Sequence, residues 1–324
     1  MRRRNNPLRI LTFAAAAFVL APLFILGQQP RAEAPPDAGD AIFSTETRLV
    51  PLNVTVTDKS GRLVTNLPQS AFQVFENGVL QTIRLFKRED VPVSMGLIID
   101  NSGSMREKRQ AVEMAALALV KDSNPQDEVF IVNFNDEAYL DADFTNDAKI
   151  LEQGLTKIDS RGGTAMRDAI NLSLDYLKKE GKRQKKALLI ITDGNDNASG
   201  ISLEKLLNRA QQDEVVVYAI GLLNEEEHRE AKIAKRALDA LTRESGGLSF
   251  YPKGVAEVDQ LTLQIAHEIR NQYTIGYSPT LPAGDGSFRQ IKVTVNAAGH
   301  PMVRTRTGYY ATPDSGSKKT VSEK

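Results

Sequence analysis

Asp100-Asn101-Ser102-Gly103-Ser104 places one carboxylate and two hydroxyls at alternate positions of a short segment. Alternate side chains of such a turn can be aimed at one point, and Gly103 relieves crowding between the two serines. Carboxylate and hydroxyl oxygens are hard donors, suited to Mg²⁺ and less selectively to Mn²⁺ or Ca²⁺. One aspartate and two serines do not complete an octahedral shell. Two further oxygen donors stand at comparable places: Thr164 after Gly162-Gly163, and Asp193 after the apolar run that ends at Ile191. Five side chains, three of them neutral, leave room for water and one external oxygen. A cation so lightly neutralised keeps enough Lewis acidity to accept a carboxylate from another molecule. Each fragment alone has an ordinary explanation, Ser or Thr as a helix cap and Asp-Gly as a turn. Their shared placement at strand-to-helix or strand-to-turn junctions is what points to a cation site.

The elements that must hold these residues can be read from hydrophobic patterning. Val91 to Ile99 is a largely apolar run closed by Asp100, and Ala187 to Ile191 is a second. Continuous apolar runs of this kind suit strands covered on both faces. Val129 to Val132, Val215 to Ile220 and Leu248 to Tyr251 add further strands. Helical patterns fall at about 106–121, 147–158, 165–180, 202–212, 224–243 and 255–270. The alternation predicts an α/β fold: a doubly wound, mostly parallel sheet with helices on both faces. Ahead of it, Leu52, Val54 and Val56 alternate with polar residues, and Glu76-Asn77-Gly78 marks a hairpin turn. Behind it, Tyr273 to Tyr277, Ile291 to Val295 and Val303 to Tyr310 read as strands. These flanks predict a small β module formed by the two segments packing together.

Ile98-Ile99-Asp100-Asn101-Ser102-Gly103-Ser104-Met105, Gly162-Gly163-Thr164 and Ile191-Thr192-Asp193-Gly194 resemble the three metal-site loops of von Willebrand factor A domains. The resemblance covers about residues 90–272 and includes the full five-residue first loop. It implies that Asp100, Ser102 and Ser104 belong to loop one, Thr164 to loop two and Asp193 to loop three. It also implies that the serines and the threonine bind the cation directly, and the aspartates directly or through water. Val54-Thr55-Val56-Thr57-Asp58, Phe72 to Gly78 and Val303 to Tyr310 are similar to an exported bacterial group of such proteins best known from acidobacteria. Of the remaining polar residues, Asp168 is a candidate support for loop two, and Asn101 and Asp196 are candidates for the rim. His228, His267 and His300 have no spacing that suggests a zinc centre.

The chain has 324 residues, with 41 Lys and Arg against 41 Asp and Glu and no cysteine. That balance provides no basic field for nucleic acid. Arg2, Arg3, Arg4 and Arg9 precede an apolar stretch from Ile10 to Leu26, and Ala32-Glu33-Ala34 suits cleavage. This is the layout of a secretory signal peptide, with an uncleaved N-terminal anchor as the alternative. Loss of the four early arginines would leave the rest mildly acidic. The expected organisation is 1–34 signal or anchor, 35–47 linker, 48–89 small β segment, 90–272 α/β domain, 273–310 C-terminal β segment, and 311–324 loose tail. The expected product is periplasmic or extracellular, with membrane contact only through an uncleaved anchor, and its partner a protein or peptide presenting an Asp or Glu carboxylate. No Ser-His-acid set or placed general base is found, so recognition is expected rather than catalysis. The alternatives are a structural envelope component with a vestigial site and a metal-dependent hydrolase.

Overall fold

The computed structural model describes residues 49–311, apart from 89, 122–123, 158–159, 224–227 and 282–283. The expected export segment, the linker and residues 312–324 of the expected tail lie outside the described residues. In chain order the elements are β1 Val50–Thr57, β2 Phe72–Glu76, β3 Val79–Gln81, β4 Ile83–Lys87, β5 Val93–Asp100, α1 Arg109–Lys121, β6 Glu128–Phe134, β7 Ala138–Thr145, α2 Ala148–Leu155, α3 Met166–Glu180, β8 Lys185–Thr192, α4 Leu203–Gln212, β9 Val216–Gly221, α5 His228–Ser245, β10 Ser249–Phe250, α6 Val258–Arg270, β11 Tyr273–Tyr277, β12 Phe288–Val295, β13 Met302–Arg304 and β14 Gly308–Tyr310.

The expected fold class is overturned on two counts. The six-stranded sheet, in the order β10-β9-β8-β5-β6-β7, is mixed, because β7 runs antiparallel to β6. The flanking segments are also no small adjunct. They build two four-stranded antiparallel sheets, β13-β1-β11-β4 and β14-β12-β2-β3, whose strands together outnumber those of the mixed sheet. The physical reasons differ. β7 carries Asp141 and Asp143 within Ala138–Thr145, as an edge strand with one open side tolerates and even favours, so it lacks an apolar run. The flanking strands are short, several of only three residues, and so leave little periodicity to read.

Burial explains the central sheet. Every residue of β5 is buried, and its side chains alternate between two cores. Val93, Met95, Leu97 and Ile99 join Val112, Ala115 and Leu119 of α1, Leu151 of α2, and Ile265 and Ile269 of α6. Ile98 joins the other core, with Ile170 and Leu174 of α3, Leu206 of α4, and Leu238 and Leu241 of α5. Fully burying one such Leu or Ile stabilises the fold by roughly 1.5–3 kcal/mol.

The antiparallel sheets share a third core, in which Val50, Leu52, Val54 and Val56 of β1 meet Phe72 and Val74 of β2 and Ile275 of β11. Asn77 and Gly78 both take positive φ, 48° and 81°, which lets β2 turn tightly into β3. The chain then crosses over, and β4 pairs with β11 in the other sheet. A buried polar knot joins this layer to the α/β part. Glu268 of α6 accepts from Tyr218 Oη of β9 at 2.7 Å, from Thr55 Oγ1 of β1 at 3.3 Å, and from Arg304 of β13.

Candidate metal centre

β5, β6 and β8 run parallel, so loop one after β5 and loop three after β8 leave the same sheet edge. Asp100 is the last residue of β5. Its Oδ1 accepts from the Ser102 backbone N–H at 2.8 Å, folding the turn back on itself, and its Oδ2 accepts from Thr192 Oγ1 at 2.5 Å. Burial pushes the Asp100 carboxyl up to about 6, with the charge of Asp193 adding to the rise, against hydrogen bonds from Thr192 and Ser102. Met105 is fully buried and anchors the turn just beyond Ser104. Ser102 is buried while Ser104 is exposed, so the cluster opens to solvent at Ser104.

Loop two is sewn to loop one through the backbone: Arg161 N–H donates to Asn101 O at 3.0 Å and Gly103 N–H to Gly162 O at 3.3 Å. Gly162 has φ +76°, which favours glycine, and a Cβ there would lie 2.1 Å from Asp136 Oδ2 and displace that exposed carboxylate. Asp136 Oδ1 accepts from Gly163 N–H at 2.7 Å. Thr164 is buried, its N–H donates to Asn197 Oδ1 at 2.9 Å, and its carbonyl accepts from Asn197 and Ala198. Its hydroxyl lies against Gly194, where a Cβ would come 3.5 Å from Thr164 Oγ1. The N-cap of α3 is Ala165, without a side-chain capping bond, so the Thr164 hydroxyl is not spent as a cap.

In loop three, Asp193 Oδ1 accepts from Ser104 Oγ at 2.8 Å, and Asp193 Oδ2 meets Lys108 Nζ at 2.5 Å. Ser102 Oγ and Ser104 Oγ are 3.2 Å apart. The structure therefore brings Asp100, Ser102, Ser104 and Asp193 into one hydrogen-bonded chain, with Thr164 beside it across Gly194. Among the three weaker candidates, Asp168 holds the far end of loop three, accepting from the N–H groups of Gly200 and Ile201 at 2.8 and 3.0 Å. Asp196 is taken up by Arg167 and Ser199. Asn101 is buried and donates to Asn133 Oδ1 at 2.8 Å, which makes it a brace between strands and not a rim residue.

The donor set fits a small hard cation. Adjacent ligands around Mg²⁺ at its usual bond length lie about 3.0 Å apart along an octahedron edge. The Ser102–Ser104 and Ser104–Asp193 oxygen pairs, at 3.2 and 2.8 Å, bracket that spacing. Among the described residues no three His, Cys, Asp or Glu side chains gather to hold a metal, so hydroxyls would supply most of the shell. Thr192 and Lys108 escaped the sequence reading. Thr192 stands beside Asp193, and its hydroxyl at the end of β8 was the available signal. Lys108 falls inside the helix expected over 106–121, which begins only at Arg109 in the structure, and helical spacing says nothing of a contact with a loop 85 residues away.

Residues 95–195 match the family model of the von Willebrand factor type A domain, and the chain carries a domain of that family. It is similar to an uncharacterized protein of Synechocystis, 22% identical over 135 residues, covering 40% of this chain and 32% of that one. It is similar also to an uncharacterized protein of Borreliella burgdorferi, 26% identical over 141 residues, covering 43% and 40%. The matches thus span well under half the length of these relatives. A solved von Willebrand factor type A structure from Catenulispora acidiphila is 14% identical with a TM-score of 0.47, covering 84% of this chain and 76% of that one.

Proposed function

We propose that this chain is a metal-ion-dependent recognition module acting outside the cytoplasm, in which a Mg²⁺-type cation takes a carboxylate from a partner protein. Asp100, Ser102, Ser104, Thr164 and Asp193 would hold the ion, and the ion would supply a Lewis-acid position for an Asp or Glu of the partner. The observation that carries this reading is the unbroken run of oxygen donors from Asp100 through Ser102 and Ser104 to Asp193, open to solvent at Ser104. The arginine-led apolar N-terminal segment supports export. Binding is favoured over hydrolysis because, among the described residues, no histidine hydrogen-bonds to these donors. His267 sits at the end of α6 against Asn271, and His300 in the turn after β12.

One observation favours the vestigial reading. Asp100 and Asp193 already have protein partners in Thr192 and Lys108. A calorimetric Mn²⁺ titration of the wild type beside Asp100→Ala and Asp193→Ala separates the two. Binding that both substitutions weaken supports the proposal, and unchanged affinity in both refutes the site. A pull-down from envelope extracts with and without EDTA then tests the metal-bridged contact. Equal recovery of the same partners in both conditions would count against it.

A further inference from the structure

Lys108 supplies the cluster with a positive charge of its own. Its ammonium lies 2.5 Å from Asp193 Oδ2, and the Asp193 side chain is only 1% exposed against 28% for Lys108. The neighbouring basic residues are engaged elsewhere: Arg106 donates to the Ser160 carbonyl and Arg109 pairs with Glu113. Lys108 engages a site carboxylate directly. Two buried acids, Asp100 and Asp193, repel one another across the site, and a buried carboxylate without a counter-charge is strongly disfavoured. The ammonium answers that need when no ion is present.

Building on the metal-site reading above, we infer that Lys108 is a tethered cation that occupies Asp193 in the metal-free protein and must leave it when a divalent ion enters. Displacing the ammonium, or keeping two positive charges within a few ångströms beside a largely buried carboxylate, opposes ion binding. Affinity for the free ion is therefore set low. A partner carboxylate adds negative charge that offsets the repulsion, so ion and partner favour one another's binding, reciprocally. A site without this lysine would fill with metal whether or not a partner were present.

The test is Mn²⁺ calorimetry at fixed pH and ionic strength on the full-length wild type and on Lys108→Met, Lys108→Gln, Lys108→Arg and Asp100→Ala. Removing the charge should tighten Mn²⁺ binding roughly ten-fold or more in the Met and Gln variants, with Lys108→Arg close to wild type. A second measurement needs no variant. The rate at which an amine reagent labels Lys108, followed by mass spectrometry of the wild type, should rise when Mn²⁺ is added. Affinity in the neutral variants equal to or below wild type, affinity in Lys108→Arg as tight as in the neutral variants, or a labelling rate unchanged or lowered by Mn²⁺ would overturn the inference. If Asp100→Ala loses binding while the neutral variants match wild type, only the role of Lys108 falls. If no protein binds Mn²⁺, the metal-site reading fails and this inference with it.

Discussion

Asp100→Asn tests how the site is charged without metal. The folded carboxyl titrates at about 6 against an ordinary value of 3.8, a difference of roughly two units and so about 3 kcal/mol. Between about pH 4 and pH 6 the folded state holds a proton that the unfolded state has lost. The contribution of Asp100 to stability is therefore full below pH 4 and lost as the pH rises through 6. Asparagine carries no such charge. It keeps one oxygen for the Ser102 N–H but must turn its amide toward Thr192, giving back about 1 kcal/mol. In EDTA at pH 7 the variant should be more stable than wild type by about 1–3 kcal/mol, with the gain vanishing near pH 4. Urea denaturation of both proteins from pH 4 to pH 8, extrapolated linearly, measures the difference. A variant less stable than wild type at pH 7, or an advantage equal at pH 4 and pH 7, would refute the reasoning.

Three other perturbations read different parts of the molecule. Gly162→Ala forces a Cβ onto Asp136 at a positive φ and should cost about 1–3 kcal/mol, seen in urea melts beside a weakened Mn²⁺ titration. Lys185 is buried, donates to the Ile269 carbonyl at 2.7 Å, and is held down to about 8 by burial. Wild-type stability should therefore fall as the pH drops from about 10.5 through 8, and Lys185→Met, which lacks that slope, should equal or exceed wild type at pH 7 by up to about 2 kcal/mol. Glu268→Ala leaves the buried Tyr218 hydroxyl and the part-exposed Arg304 without their shared acceptor and should cost about 2–4 kcal/mol, measured by denaturant unfolding; a loss below about 1 kcal/mol would show that the knot does not hold the layers together.

What was legible in the sequence follows from what each element buries. β5 and β8 are buried on both faces, so their apolar runs stood out, and the donors at their ends could be placed at one sheet edge before any coordinates. Loop two was legible through Gly162-Gly163, the first of which takes a positive φ that favours glycine. β7 was not, since an edge strand bearing Asp141 and Asp143 looks like a polar loop. Nor was the extent of the antiparallel layer, because strands of three residues are fixed by partners far away in the chain. The Lys108–Asp193 and Thr192–Asp100 contacts were hidden for a related reason: they depend on how two loops approach, which no local spacing encodes.

The pairing of β1 with β11 and of β2 with β12 sets the order in which this molecule can be made. Tyr309 reaches Glu76 across 233 residues of sequence, and β1 has no sheet partner until β11 and β13 exist. A chain emerging from its N-terminal end must therefore carry both hydrogen-bonding edges of β1 unpaired while the whole α/β part is synthesised, its apolar face meeting only nearby residues such as Phe72 and Val74. Contacts so distant in sequence form slowly unless the intervening segment collapses first and draws its ends together. The α/β part is then the scaffold on which the antiparallel layer closes, and in the interval the unpaired edges of β1 are open to aggregation or to chaperone capture.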